Sequence, residues 1–321
     1  MVNSIAMNRV LVTVDVEALP ARARRDHVQR LIWGEHPRGR AGIAEICDLV
    51  EEFGGVALFF LEVAGSLYDL ASYREINSYL TRRGHLVEWH YHPEILGKSF
   101  WRQCGATGST LRQDLFDADD ANLILKWGLE QFVKVAGRMP CAYRAGSFRW
   151  NRQTLAFLSE NDIGFSFNAC AETALRDNYA TFKPDSPRPF YWENGVIEVP
   201  CGEHVVGTEV VHFRFPRPFP KDCGPRELAR AIASRSGGPV QILLHSWSLL
   251  DRDEHGYFYY RNSDRIKAFR RLLERLTKEF SIPPTPDLFI SNLHSLLQDD
   301  EQVPLPTVSS VVSSESNVHV K

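Results

Sequence analysis

Apolar residues recur along this chain with two different periods, and the two periods alternate. Residues 9–17 (RVLVTVDVE) carry a valine at every second position, which is typical of a β-strand, because successive side chains of a strand point to opposite faces. Residues 43–53 and 70–83 place their apolar side chains at helical spacing, and residues 56–63 (VALFFLEV) are apolar on both faces. This order, followed by a further strand at 84–94, predicts a parallel α/β sheet or barrel.

The same alternation continues in the remainder of the chain. Further helices are predicted at 118–135, 152–161, 225–234 and 266–280, and further strands at 141–144, 163–168, 196–200 and 240–245. Residues 99–115 lack a clear period and are expected to form a loop over the functional site, whereas the polar, proline-rich residues 171–195 are expected to leave the core as an excursion. The predicted organisation is one domain over 1–297 and a disordered tail over 298–321.

The composition is that of an ordinary globular protein and argues against several function classes. The 321 residues are 44% apolar and 24% charged, and the net charge of −3 gives no basic field for nucleic-acid binding. The chain has no run of about 18 apolar residues, so no transmembrane helix is expected, and its first residues lack the pattern of a secretory signal. The six cysteines include no C-x-x-C pair, which is typical of reduced thiols, so we expect a cytoplasmic protein.

Residues 20–40 are rich in arginine. Such a run fits a solvated loop or helix face. It also fits a docking patch for an anionic group, such as a phosphate on a substrate.

Two pairs of polar residues share the same spacing on two predicted strands. His90 and His92 lie at i and i+2 of the strand over 84–94, so their imidazoles share a face at about 7 Å between Cβ atoms, within reach of one metal ion. Asp15 and Glu17 end the first strand in the same way, and two carboxylates are costly to bury without a cation or hydrogen-bond donors. The alternatives are histidines with structural hydrogen bonds and a strand that runs into a polar loop.

Four predicted strands therefore end in polar side chains. These side chains are Asp15 and Glu17, His90 and His92, Arg144, and His245. In parallel α/β folds the carboxyl ends of different strands converge on one crevice. Two histidines and one carboxylate with an open coordination position suit a catalytic divalent metal such as zinc, and the remaining carboxylate and histidine would serve as base and acid.

The same residues, in the same order, resemble the motifs of the polysaccharide deacetylase superfamily (the NodB homology domain of carbohydrate esterase family four). T-V-D-V-E at 13–17 resembles its acidic motif, and A-L-F-F-L at 57–61 is similar to the strand that follows. G-H and H-Y-H-P within 84–93 resemble the metal-binding motif. Y-R-A-G-S-F at 143–148 resembles the arginine motif, and L-L-H-S at 243–246 is similar to the final histidine motif.

The resemblance spans roughly residues 9–280 and implies a distorted (β/α)7 barrel of the NodB type, with a role for each site residue. The implied ligands of a divalent metal, expected to be Zn²⁺, are Glu17, His90 and His92. Asp15 would take a proton from the attacking water, and Arg144 would hold that carboxylate ionised and oriented. His245 would protonate the leaving amine.

Other residues have weaker assignments. Trp247, on the strand face of the final histidine, is a candidate wall of the acyl pocket, and Trp150 is a candidate for either the pocket or the core. Glu88 and Glu94 share the face of the two histidines and are supporting carboxylates or substitute ligands. His85 has the opposite strand parity and is expected to be structural.

Three features depart from the pattern of the superfamily. Glu17 stands where the metal carboxylate is usually Asp, and the histidines form H-x-H instead of H-x-x-x-H, a shorter form that occurs among relatives. Arg144 is followed by Ala-Gly where the superfamily often has Pro. These departures bear on the substrate more than on the metal chemistry.

The function that the resemblance implies is metal-dependent removal of an N-acetyl group from an amino sugar. With no secretory signal expected, an N-acetylated sugar precursor carried on a nucleotide or lipid is a more natural substrate than cell-wall peptidoglycan. One alternative is hydrolysis of another amide, by a deformylase or a cyclic amide hydrolase. The other is a non-catalytic barrel that binds saccharide, against which the complete set of acid, base and ligands argues.

Overall fold

The computed structural model describes residues 9–18, 27–108, 110–171, 188–221, 223–285, 297 and 302–306. Its strands are β1 (Val10–Val16), β2 (Glu35–His36), β3 (Gly39–Arg40), β4 (Leu58–Glu62), β5 (Leu86–Tyr91), β6 (Ala142–Ala145), β7 (Phe165–Ser166), β8 (Phe190–Trp192), β9 (Ile197–Glu198), β10 (Glu203–Val206), β11 (Glu209–His212), β12 (Val240–His245), β13 (Asp251–Arg252), β14 (Phe258–Tyr259) and β15 (Gln302–Val303). Its α-helices are α1 (Ile43–Glu52), α2 (Leu70–Arg82), α3 (Gly97–Gln103), α4 (Ala118–Ala136), α5 (Arg152–Glu160), α6 (Pro225–Ser236) and α7 (Asp264–Leu276).

One mostly parallel sheet forms the centre of the fold. Its nine strands are ordered β12-β1-β4-β5-β6-β7-β9-β8-β15, and every pair from β12 to β9 is parallel. All seven residues of β1 are buried, as expected for a strand with neighbours on both sides and helices outside. The register places Asp15 beside His245 and His90 beside Arg144, so polar strand ends that are distant in sequence become neighbours.

The segment 213–215 connects the far part of this sheet back to β12. The backbone N–H of Phe213 donates to the carbonyl of Gly202 at 2.7 Å. On the other side, Phe215 donates to the carbonyl of Leu243 at 2.9 Å, and Leu243 donates to the carbonyl of Phe213 at 3.0 Å. The sheet therefore curves round into the distorted barrel that the sequence predicts.

Helix boundaries follow from local capping. The Asp117 side chain accepts a hydrogen bond from the backbone N–H of Asp120 at 2.9 Å and starts α4. The same helix ends at Gly137, whose φ of 72° is accessible to glycine at little cost. None of the described helices is long and apolar enough to cross a membrane.

The expected loop over 99–115 is partly wrong, because α3 covers its first residues. Trp101 on α3 is buried, donates through its indole N–H to the carbonyl of Pro93 at 2.8 Å, and packs edge-on against Trp127. This single anchoring residue fixes a short helix that has too few apolar positions to show a period.

The expected excursion and tail lie mostly outside the described residues, at 172–187, 298–301 and 307–321. The end of the excursion returns to the sheet as β8, which pairs antiparallel with β9. Within the predicted disordered tail, Gln302 and Val303 form β15 beside β8, so disorder is wrong for these two residues. The free edge of β8 and the partial burial of Val303 against the core account for this pairing.

Candidate metal centre and active site

The carboxyl ends of β1, β5 and β12 surround a cavity of about 180 Å³. The predicted site residues on its wall are Asp15, Glu17, His90, His92 and His245. Arg144 is fully buried beneath the cavity. The structure thus brings the six predicted catalytic and ligand residues together from four separate strands.

Three of these side chains have the arrangement of a metal-binding site. The ligand atoms of Glu17, His90 and His92 all lie within 4.8 Å of one another, and all three residues are buried. Glu17 Oε2 is 2.8 Å from Nε2 of His92 and 3.4 Å from Nε2 of His90. A carboxylate oxygen and two imidazole nitrogens at this spacing are a donor set that fits Zn²⁺.

Each ring is oriented by a hydrogen bond at its other nitrogen. Nδ1 of His90 donates to the backbone carbonyl of Arg144 at 2.8 Å, and Nδ1 of His92 donates to Oε1 of Glu94 at 2.8 Å. Both Nε2 atoms are thereby directed towards Glu17. This arrangement, in which the outer nitrogen is held by a carbonyl or carboxylate, is typical of metal-binding histidines.

The ligand charges are strongly coupled. Burial acts to raise the pKa of Glu17, but the neighbouring imidazoles outweigh it and hold this pKa well below its usual range. Burial acts to lower the pKa of His92, but the carboxylates of Glu17 and Glu94 hold it well above its usual value. Without an ion, His92 therefore carries the positive charge that balances Glu17.

The Asp15 carboxylate is fixed by a buried guanidinium. Arg144 donates through Nη1 to Oδ1 of Asp15 at 2.7 Å, and through Nη2 to Oγ1 of Thr13 at 3.2 Å and to Oε1 of Gln241. Its guanidinium also lies 4.1 Å from the centre of the Phe60 ring. A buried ion pair of this kind is favourable when hydrogen bonds satisfy its remaining donors, as they do here.

His245 ends β12, which lies on one side of β1. The strand that leads to His90 and His92, β5, lies on the other side of β1. Nε2 of His245 is 3.6 Å from Oε1 of Glu17, and the ring of His245 stacks on Trp247 with centroids 4.2 Å apart and planes 14° apart. Burial lowers the pKa of His245, although Glu17 and Asp15 act in the opposite direction. A lowered pKa makes the protonated ring a stronger acid.

The residues with weaker assignments occupy several different places. Trp150 does not line the cavity but packs in the core against Trp192, with ring centroids 5.5 Å apart. Trp247 touches His245 but lines a second, larger cavity instead of the acyl pocket. Glu94 supports His92, whereas Glu88 receives hydrogen bonds from the start of β6 and is structural.

His85 is structural, in agreement with its strand parity. Its Nδ1 accepts from the backbone N–H of Ala57 at 3.2 Å, and its Nε2 lies 3.2 Å from Glu51. Burial lowers the pKa of His85 to about 4, so the ring is neutral near pH 7.

Sequence reasoning missed several polar residues at or near the cavity. Glu62 ends β4 beside His90, and burial raises its pKa to about 7. The signal for it is an acidic residue at the end of an otherwise apolar strand. His212 and Arg214 line the cavity, and their alternation within VVHFRF marks a strand with one polar face.

Comparisons with known proteins identify solved structures of similar fold. No family model matches the sequence, and no curated protein matches it. A structure described as a "putative polysaccharide deacetylase" from Mycobacterium smegmatis is 18% identical, with a TM-score of 0.56 over 95% of this chain and 94% of that chain. The peptidoglycan deacetylase PdaC from Bacillus subtilis is 11% identical, with a TM-score of 0.42 over 91% of this chain and 94% of that chain. A CE4 family pseudoenzyme from Bacillus anthracis is 10% identical, with a TM-score of 0.44 over 93% of this chain and 68% of that chain.

The first of these comparisons extends over nearly the whole of both chains. The mostly parallel α/β architecture described above agrees with this likeness. The chain therefore has the fold of that solved structure.

Proposed function

We propose that this protein is a metal-dependent hydrolase that removes the N-acetyl group from an amino sugar. One observation carries the proposal: Glu17, His90 and His92 form a ligand group of three, and Asp15 and His245 stand beside it in the same cavity. A purely structural group would not need a separate carboxylate and imidazole beside it.

The ligand group would hold the metal in an open coordination geometry. A divalent ion bound there supplies Lewis-acid polarisation of the amide carbonyl and a lowered pKa for water. The residues of the chain supply the remaining functions.

Asp15 is the base in this proposal. Its carboxylate accepts the proton of the attacking water, while Arg144 holds it in place through the 2.7 Å hydrogen bond. Because Thr13 and Gln241 hold the same guanidinium, the carboxylate has a fixed direction towards the cavity.

His245 is the acid. The C–N bond of the tetrahedral intermediate breaks as the ring donates its proton to the departing amine nitrogen. The lowered pKa of His245 favours this donation, and the stacked Trp247 restricts the ring to one orientation.

Release of acetate from a panel of N-acetylated amino sugars tests the proposal. Asp15→Asn is expected to lose about 10²- to 10⁴-fold in kcat/KM, the usual contribution of a general base, and to retain its metal. His90→Ala/His92→Ala is expected to lose both acetate release and one equivalent of metal. His255→Ala, which changes an exposed histidine outside the cavity, is the control.

Two results would contradict the proposal. Release of formate instead of acetate from the matching N-formyl sugars would favour a deformylase. Saccharide binding with no turnover in the metal-loaded protein would favour a non-catalytic barrel.

A further inference from the structure

A second cavity of about 670 Å³ lies between α7 and the segment that closes the barrel. Its floor is aromatic and includes Phe215, Phe219, Trp247 and Phe258. Its charged lining residues within the described chain are Arg217, Arg252, Arg265, Arg271 and Arg275. We call this space the arginine cavity.

The described lining of the arginine cavity includes five arginines and no acidic residue. Arg265 is partly neutralised, because it donates to Asp251 at 3.0 Å. Arg271 and Arg275, one turn apart on α7, form no ion pair or hydrogen bond within the described part of the chain. Like charges at this spacing repel each other, so a bound group of opposite charge would be favourable here.

The arginine cavity adjoins the catalytic cavity. Trp247 lines the arginine cavity and stacks on His245, with ring centroids 4.2 Å apart. Arg214 lines the catalytic cavity, and the next residue, Phe215, lines the arginine cavity. A ligand in the arginine cavity is therefore separated from the proposed acid by a single aromatic ring.

We infer that the arginine cavity binds a phosphate or pyrophosphate group that is attached to the acetylated amino sugar. Guanidinium groups bind phosphate oxygens in pairs, and the aromatic floor suits an adjoining planar or apolar group. The inference rests on the proposed function for the sugar, but the anion site is defined by the arginines alone.

Calorimetric titration with inorganic pyrophosphate tests the anion site without turnover. Arg271→Gln/Arg275→Gln is expected to weaken binding at least tenfold. Arg270→Gln is the matched control, because Arg270 lies on the same helix but pairs with Glu52 at 2.9 Å outside the cavity. Equal affinity in all three proteins, or no binding to the wild type, would overturn the inference.

Kinetics on a sugar 1-phosphate and on the same unphosphorylated sugar test the link to catalysis. The double arginine variant is expected to raise KM at least tenfold for the phosphorylated sugar, with little change for the neutral one. Equal use of both sugars by the wild type would overturn the inference while leaving the deacetylase proposal intact. Arginine-dependent pyrophosphate binding without acetate release would support the anion site and contradict the deacetylase proposal.

The phosphate or pyrophosphate could belong to a nucleotide-linked sugar or to a lipid-linked sugar, and binding measurements distinguish the two. Tighter binding of a nucleoside diphosphate than of pyrophosphate supports a nucleotide-linked sugar, because the base adds contacts to the aromatic floor. Tighter binding of an isoprenyl pyrophosphate supports a lipid-linked sugar.

An independent observation concerns a second group of ligand-type side chains. The ligand atoms of Cys170, Glu203 and His212 all lie within 4.8 Å of one another. The Cys170 thiol is 3.4 Å from Oε1 of Glu203 and 3.9 Å from Nδ1 of His212. Glu203 and His212 are directly opposite each other on β10 and β11.

The two distances from the Cys170 thiol, 3.4 and 3.9 Å, are close to the spacing of ligands around a tetrahedral ion. Bond lengths of about 2.0 Å to nitrogen or oxygen and about 2.3 Å to sulfur place tetrahedral ligands roughly 3.3–3.8 Å apart. The backbone N–H of Ala171 holds Oε2 of Glu203 at 2.7 Å, which leaves Oε1 directed towards the thiol. Cys201 packs against Cys170 but is not part of the group whose ligand atoms all lie within 4.8 Å of one another.

We propose that Cys170, Glu203 and His212 bind a second divalent ion of zinc type. A mixed sulfur, nitrogen and oxygen donor set selects such ions over magnesium or calcium. None of these residues belongs to the ligand group of Glu17, His90 and His92.

Cobalt substitution separates the two sites. Thiolate coordination to Co²⁺ gives an intense charge-transfer absorption in the near ultraviolet, which a site with nitrogen and oxygen ligands does not give. The band is expected in the wild type and in His90→Ala/His92→Ala, and it is expected to vanish in Cys170→Ser with loss of one metal equivalent.

Cys47→Ser, at a buried cysteine in α1, is the control and is expected to keep the band. If Cys170→Ser does not fold, Glu203→Gln replaces it as the test variant. This change keeps the size of the side chain and is expected to weaken cobalt binding at least tenfold. A wild-type protein that binds one metal ion without the band would overturn the proposal.

Discussion

Gly146 is the residue that allows His92 to occupy its position. A Cβ atom at this position would lie 2.5 Å from Nδ1 of His92, far closer than any van der Waals contact. The imidazole packs flat against the bare backbone after β6. The glycine at position 146 therefore has a local structural reason.

Gly146→Ala is expected to displace His92 and weaken metal binding at least tenfold, with a smaller effect on overall stability. Zinc competition in Cys170→Ser protein, which removes the proposed second site, measures the affinity. Gly164→Ala is the matched control, because a Cβ there meets nothing within 4 Å. Equal losses of zinc affinity in Gly146→Ala and Gly164→Ala would contradict a specific clash between residue 146 and His92.

Glu94 is expected to contribute to metal affinity without touching the ion. Its carboxylate orients His92 through the 2.8 Å hydrogen bond to Nδ1 and remains partly exposed, so its removal does not leave a buried charge unpaired. Glu94→Ala is expected to lower zinc affinity about 10- to 100-fold. Glu254→Ala, at a fully solvated carboxylate, serves as the comparison, and an unchanged affinity in Glu94→Ala would rule out the orienting role.

At the scale of elements, the carboxylate of Glu198 joins β9 to the loop that follows β7. It accepts hydrogen bonds from the backbone N–H groups of Asn168 and Ala169 at 2.7 and 2.8 Å, and from the indole of Trp192 at 3.1 Å. Asn168 in turn accepts from the backbone N–H of Ala145, next to the site arginine. This loop is thus positioned by one buried acid.

Glu198 is expected to make stability depend on pH. Burial raises its pKa to about 7, against 4.5 in the unfolded chain. Between these values the unfolded chain releases a proton that the folded chain keeps, so the free energy of unfolding falls as pH rises. Relative to Glu198→Gln, the wild type is expected to lose about 3 kcal/mol from pH 4.5 to 7.

Denaturant unfolding of both proteins at several pH values measures this difference. Glu193→Gln, at an exposed acid on the neighbouring turn, is expected to show the wild-type profile. A difference between wild type and Glu198→Gln that does not change with pH would mean that Glu198 is ionised in the fold.

The elements that the sequence predicts well are those with long, regular patterns. The first strand, α4 and the strand of His90 follow from periodicity alone, and the strand ends then place the ligand group. Short strands such as β15 and the helix around Trp101 depend on contacts with distant residues, which no local pattern records. For the same reason the positions of Glu62 beside His90 and of Glu203 opposite His212 follow only from the strand pairing, although Glu62 and His212 carry weak local signals.

At the scale of the whole molecule, metal binding is expected to be linked to pH. The carboxylates around His92 hold its pKa well above the usual value, so an ion must displace the His92 proton. Zinc affinity is therefore expected to rise about tenfold per pH unit near neutrality, with about one proton released per ion. Calorimetry of Cys170→Ser protein in buffers of different ionisation enthalpy measures the protons.

A constant affinity across this pH range would contradict that linkage. His245→Ala is the matched control, since it changes a histidine of the same cavity that is not a proposed ligand. It is expected to release the same number of protons as the parent protein.

The pairing of β1 with β12 has a consequence for synthesis of the chain. Asp15 leaves the ribosome some 230 residues before His245, its neighbour in the sheet. Until β12 is made, β1 has one unpaired edge, and Asp15 and Glu17 lack the imidazole of His245. A nascent chain therefore carries an incomplete centre until β12 is made, and the proposed hydrolytic site is complete only when that strand inserts into the sheet.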